Sequence, residues 1–105
     1  MMPIIKRSQV LFDLLDQARY IARDNPDAAR RFLLAAEDTF ADILANPQIG
    51  RVRRLKNPLF HDLRQWPVKG FKNYLVYYQV SDEEITVLRV MHSARDISTI
   101  LNLEP

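Results

Sequence analysis

The spacing of apolar residues changes period part-way along the chain. From Leu11 to Leu44 they recur at helical intervals, and from Leu63 to His92 they alternate at the period of a strand. In the first part, Leu11, Leu14, Leu15, Ala18 and Ala22 form one stripe, with Asp13, Asp16, Arg19 and Arg23 off it. This predicts a helix from about Gln9 to Asp24, capped by the Ser8 hydroxyl. Asp24-Asn25-Pro26 then stops one helix and starts another, because Asn caps well and Pro is tolerated at the first helical position. A second stripe follows in Ala29, Phe32, Leu33, Ala36, Phe40, Ile43 and Leu44 and ends at Asn46-Pro47. So short a link predicts an antiparallel helical hairpin.

Pro3 to Arg7 suits a brief strand, at the edge or centre of a later sheet. Gln48 to Pro58 has no periodicity and reads as an exposed connection. Phe60 to Val68 is a strand with Arg64, Trp66 and Val68 on one face and Leu63 and Gln65 on the other, and Pro67 suits an edge or a terminus. Beyond a Lys69-Gly70 turn, Phe71 to Val80 places Tyr74, Val76, Tyr78 and Val80 opposite Phe71, Leu75, Tyr77 and Gln79. After Ser81-Asp82-Glu83, Glu84 to His92 sets Thr86, Leu88, Val90 and His92 against Ile85, Val87, Arg89 and Met91. Strands apolar on both faces need two covers, and a helical hairpin supplies one. The second falls to the C-terminal segment or to a partner. Ser93 and Asp96 have the spacing of a capping box before Ile97, Ile100 and Leu101, which fit a short terminal helix. The expected architecture is α+β, a helical hairpin on one face of a small antiparallel sheet.

A chain of 105 residues suits one domain, residues 1–105. A hydrophobic share of 48% with only two glycines points to a packed globule and away from a disordered chain. The absence of cysteine excludes disulfides and thiolate metal sites, and the two histidines have neither the spacing nor the neighbouring carboxylates of a metal site, so neither metal nor cofactor is expected. With no signal-like or membrane-spanning segment, the expected location is the cytoplasm.

Charge changes the picture more by its distribution than by its sum of +2. Residues 51–72 hold seven Lys or Arg against Asp62 alone, while the flanking segments are net acidic. Such a strip is either a solvated loop or a surface for an anionic partner. It contains no recognisable DNA-reading helix. Arg89, among apolar strand residues, must reach solvent or a partner, and a partner is favoured. Arg64 is either a surface ion pair or an anchor for an acidic group, and Arg95 either pairs with Asp96 or Glu104 or joins the basic patch. Tyr77 and Met91 are core residues or contacts of a partner, depending on register. His92 is a structural residue near the helix start or a proton-transfer group, and His61 is read as a surface residue.

Taken in order, IARDNPDAARRFLLAAEDTFADILANPQIGRVR, HDLRQWPV, NYLVYYQV and VLRVMHSARDI resemble the RelE/ParE superfamily of bacterial toxin-antitoxin systems, and ParE more than RelE. The resemblance implies a toxin neutralised by an adjacent ParD-like antitoxin in a hetero-oligomer, reaching operator DNA only through that antitoxin. ParE-like members inhibit DNA gyrase by binding, whereas RelE-like members cut messenger RNA on the ribosome. The RelE-like pattern has an arginine directly after the first tyrosine of NYLVYYQV, and here that position is Leu75. The expected antitoxin contacts are Arg64, Leu75, Tyr77, Arg89 and Met91, and the expected target contacts Arg51, Arg53, Arg54 and Arg95. A nuclease would instead draw on Arg89, His92 and Arg95.

Overall fold

A computed structural model describes residues 2–60 and 62–102. His61 and Glu104, and with them the surface reading of the first and the Arg95 pairing of the second, lie outside the described residues. Strand β1 (Ile4–Lys6) leads into helix α1 (Ser8–Ala22) and helix α2 (Pro26–Ala45), then strand β2 (Arg51–Arg53). A 3-10 turn at Pro58–Phe60 precedes strands β3 (Leu63–Val68), β4 (Phe71–Val80) and β5 (Ile85–His92), and helix α3 (Ile97–Asn102) closes the chain.

The sheet order is β1-β5-β4-β3-β2. All pairs are antiparallel except β1 with β5, so the sheet expected to be antiparallel is mixed at one edge. The basic stretch read as a loop holds a short edge strand, with Arg51 opposite Gln65 and Arg53 opposite Leu63. Three residues are too few to show a period, so only pairing with β3 reveals it.

Asn25 caps α2 as expected, its side-chain oxygen accepting the Ala28 amide at 3.0 Å, and Pro26 opens the helix. Helix α1 departs from expectation in two ways. No side chain caps it, since Ser8 is already its first residue. Its buried residues are Val10, Asp13, Leu14 and Ala18, so the inward stripe is rotated, and Leu11, Phe12 and Leu15 point outward.

On one sheet face, Val10, Leu14, Phe32, Phe40 and Ile43 of the hairpin pack on Val76, Tyr78, Ile85, Val87 and Val90. On the other, Phe60, Leu63, Tyr77, Leu88 and Met91 lie under Ile97 and Leu101. The chain therefore supplies the second cover itself, from α3 and the 3-10 turn. Burial at this second cluster must hold α3 in place, because a helix of six residues has little stability alone.

A bulge resets the alternation of β5. Tyr77 faces Arg89 while Tyr78 faces Val87, which leaves Leu88 as the extra residue. Ile85, Val87 and Val90 consequently join the helix-side core while Leu88 and Met91 join the other, instead of the two strictly alternating sets. A second irregularity falls between Pro67 and Val68, as a proline without an amide donor allows. Phe71, just after the turn, reaches the helix side, where its ring meets Phe32 edge-on at 5.4 Å. Gly70 takes a φ of +77°, the left-handed conformation its turn requires. The Lys69 amide donates to the buried Thr39 hydroxyl at 2.9 Å, and that hydroxyl donates to the Ala35 carbonyl at 2.7 Å, tying the turn to α2.

Candidate interaction site

The charge that the sequence left unpartnered is partnered inside the chain. Asp13 is buried on α1, and its two carboxylate oxygens accept Nε and Nη2 of Arg89, each at 2.9 Å. One of them also accepts the Val90 amide at 3.0 Å. Val90 lies beyond the residues of β5 that β1 pairs, so Asp13 supplies the acceptor that the missing length of β1 would have provided. A fork-to-fork pair of this kind fixes direction as well as charge. Arg89 thus finds within the chain the partner it was expected to meet outside, and Asp13, expected off the apolar stripe of α1, lies on its buried side.

Arg64 is similarly occupied. Its guanidinium donates to the Gly50 carbonyl at 2.7 Å, to the Gln48 carbonyl at 3.2 Å and to the Gln48 side-chain oxygen at 2.5 Å. From the neighbouring cross-strand position, the Tyr78 hydroxyl donates to the Pro47 carbonyl at 2.9 Å and accepts the Gly50 amide at 2.8 Å. These contacts fasten the connection between α2 and β2. Gly50 is required there, since a Cβ would come within 2.5 Å of the Tyr78 hydroxyl.

Tyr77 and Met91 are buried under the C-terminal helix, at 2% and 3% exposure, and Leu75 is half-buried beside them. Burial raises the Tyr77 phenol above its usual value, and the nearby Arg53 guanidinium only partly opposes this. Arg53 also donates to the Gln65 side chain at 2.6 Å.

His92 belongs to the hairpin side. Its ring meets Tyr74 edge-on at 5.2 Å, and Nδ1 accepts the Ala94 amide at 3.0 Å, which leaves the proton of the neutral ring on Nε2. Arg95 is exposed in the turn before α3. The expected Ser93 cap is replaced by Asp96, whose carboxylate accepts the Ser98 and Thr99 amides and the Thr99 hydroxyl, the last at 2.9 Å. The Thr99 hydroxyl foremost, with these amides, holds the Asp96 carboxyl below the usual aspartate value.

Among the described residues, two exposed surfaces bear on binding. One is the outer side of α1, where Leu11 and Phe12 are 60% and 58% exposed and Leu15 adjoins them. Leu11 and Leu15, whose spacing suits a core stripe, lie here instead, because apolar spacing alone cannot separate a buried from an exposed ridge. The other is the basic run of β2 and its continuation, with Arg51, Arg54 and Lys56 exposed. Beside it lies a depression of about 390 Å³ lined by Arg53, Arg54, Leu55, Lys56 and Ser98. Among the described residues no group of three or more His, Asp or Glu is placed to hold a metal ion, and no helix is long and apolar enough to cross a membrane.

No curated protein shows a significant sequence match. A solved structure titled as the chromosomal ParDE toxin-antitoxin system of P. aeruginosa is similar in fold, with a TM-score of 0.69 and 17% identity over 88% of this chain and 96% of that one. The family model for the ParE toxin of the type II toxin-antitoxin system parDE matches residues 4–97. With helical hairpin, sheet and all three late strands inside that match, the chain belongs to the ParE toxin family of type II toxin-antitoxin systems.

Proposed function

We propose that this ParE-family toxin acts by binding DNA gyrase and is neutralised by a ParD-like antitoxin in a hetero-oligomer. The observation that carries the binding reading over RNA cleavage is the bond between Arg89 and Asp13. A nuclease needs a cation aimed at the scissile phosphate and a nearby group to move a proton. Here the strand cation is neutralised by a buried carboxylate, His92 is turned to Tyr74, and Leu75 adds no charge.

In this reading Arg51, Arg53, Arg54 and Arg95 face the target. Tyr77 and Met91 serve the antitoxin only if α3 moves aside, whereas Leu75 is reachable with α3 in place. Arg64 and Arg89 would act through the segments they fix. The ridge of Leu11, Phe12 and Leu15 adds the kind of apolar surface a neutralising partner buries. The test is a supercoiling assay with purified toxin, expected to show inhibition that an equimolar antitoxin reverses. Unaltered supercoiling at saturating toxin, with messenger RNA cut in a translation extract, would reverse the assignment.

A further inference from the structure

We propose that β2 is a docking edge for an extended partner segment of alternating acidic, apolar and acidic residues, which joins the sheet as a sixth strand beside Arg51–Arg53. Strand β2 ends the sheet order, so one side of its backbone is not used by β3. Such an edge is a template for strand addition.

The side chains specify what can be added. Arg51 and Arg53 lie on the same face as Gln65 and Leu63 across the ladder, and Val52, 39% exposed, lies on the opposite face with Arg64. An incoming strand therefore meets positive charge, apolar surface and positive charge in turn, and Arg54 and Lys56 extend the charge beyond the strand. No acidic residue occurs from 51 to 56, and Arg51, Arg54 and Lys56 form no ion pair with a described residue. A second copy of this chain is disfavoured, because antiparallel pairing centred on Val52 would set arginine against arginine. A carboxylate on each flanking position removes that repulsion and gains two cross-strand ion pairs, with a β-branched residue packing on Val52. The same charges thus block self-association and admit an acidic strand.

The probe is a blocked Ser-Glu-Val-Glu-Thr-Glu-Ser peptide, titrated into the isotope-labelled full chain and followed by amide chemical shifts and amide exchange. The expected result is shifts centred on residues 51–53 with slowed exchange there, and affinity falling about tenfold in Arg51→Glu, whose side chain has no ion-pair or hydrogen-bond partner among the described residues. A peptide with lysine for glutamate should not bind. Binding that shifts only side-chain signals of Arg54 and Lys56, or a single-stranded oligonucleotide competing as well as the acidic peptide, would show a diffuse anion surface and overturn the proposal. Absence of shifts at 51–53 at millimolar peptide overturns it as well. The proposal is separable from the gyrase reading, since the peptide experiment contains no gyrase and supercoiling is assayed with the unaltered chain in the absence of peptide.

Discussion

Asp13 and Arg89, separated by 76 positions, form the bidentate ion pair that joins α1 to β5. Side-chain exposures of 4% and 13% place it in the poorly solvated interior, where the loss of one member strands the other. Asp13→Ala should destabilise the fold by about 3–5 kcal/mol in urea denaturation. The double variant Asp13→Leu with Arg89→Met should recover much of this, because apolar pairs often replace buried ion pairs at little cost. It should still fall short by about 1–3 kcal/mol, since the Val90 amide loses its acceptor. Full recovery would mean that the amide is satisfied in another way.

The pair also shows which features of the chain were readable. The hairpin, its Asn25-Pro26 restart, the three long strands and the Gly70 turn follow from spacing and local chemistry, and all are present. Asp13 was misplaced because a helix pattern assigns acids to solvent by default, although its position beside Val10 and Leu14 is inward. An acid on an inward helical position and a cation in an apolar strand are each unexplained alone. Taken together they account for one another, and that was the available signal. The Leu88 bulge and strand β2 left no such trace, since both are set by pairing partners distant in sequence.

Gly50 and Tyr78 yield a steric prediction. A Cβ at Gly50 would lie within 2.5 Å of the phenol oxygen and 2.8 and 2.9 Å of two ring carbons. Gly50→Ala should therefore cost about 1–3 kcal/mol through forced displacement. Tyr78→Phe should not rescue it, because the ring carbons remain and the hydrogen bonds to Pro47 and Gly50 are lost. Thermal unfolding of the single and double variants checks both statements.

Burial raises the phenols of Tyr77 and Tyr78 above their usual value of 10.0, against the smaller opposing effects of Arg53 on the first and of the Gly50 amide on the second. Above pH 10.0 the unfolded chain ionises while the buried phenols remain neutral, so ionisation favours the unfolded state. Relative stability is thus fully retained below pH 10.0 and lost as pH rises through the folded values. Ultraviolet titration should show these phenols ionising late, with unfolding accompanying them. Ionisation of both at the value for unfolded tyrosine, with the fold intact, would contradict their burial.

The exposed ridge on α1 separates stability from binding. Phe12→Ser removes a side chain that is 58% exposed, so its effect on unfolding should stay within about 0.5 kcal/mol. If the antitoxin covers this ridge, affinity measured by calorimetry should fall by at least about tenfold, the cost of a modest apolar anchor. Unchanged affinity in Phe12→Ser and Leu11→Ser would move the antitoxin elsewhere.

Asp96 caps the helix that covers the second sheet face. Its carboxylate accepts the Thr99 hydroxyl and the Thr99 and Ser98 amides, so the charged form is favoured in the folded chain and its pKa is lowered from 3.8. A depressed folded value contributes stability above the unfolded pKa and loses it as pH falls through the folded one. The consequence is local, because this side chain is exposed and closes only the first turn of α3. Below pH 3.8 the Ser98 and Thr99 amides should exchange faster, before the strands open. Asp96→Ala should reproduce that fraying at neutral pH and increase binding of an apolar dye to the surface of Tyr77, Leu88 and Met91. Asp96→Asn, which keeps an acceptor without the charge, should fray less than Asp96→Ala and lose the pH dependence. Equal fraying in both variants would assign the effect to charge alone and leave the hydrogen bonds to Ser98 and Thr99 with no separate part in holding α3 down.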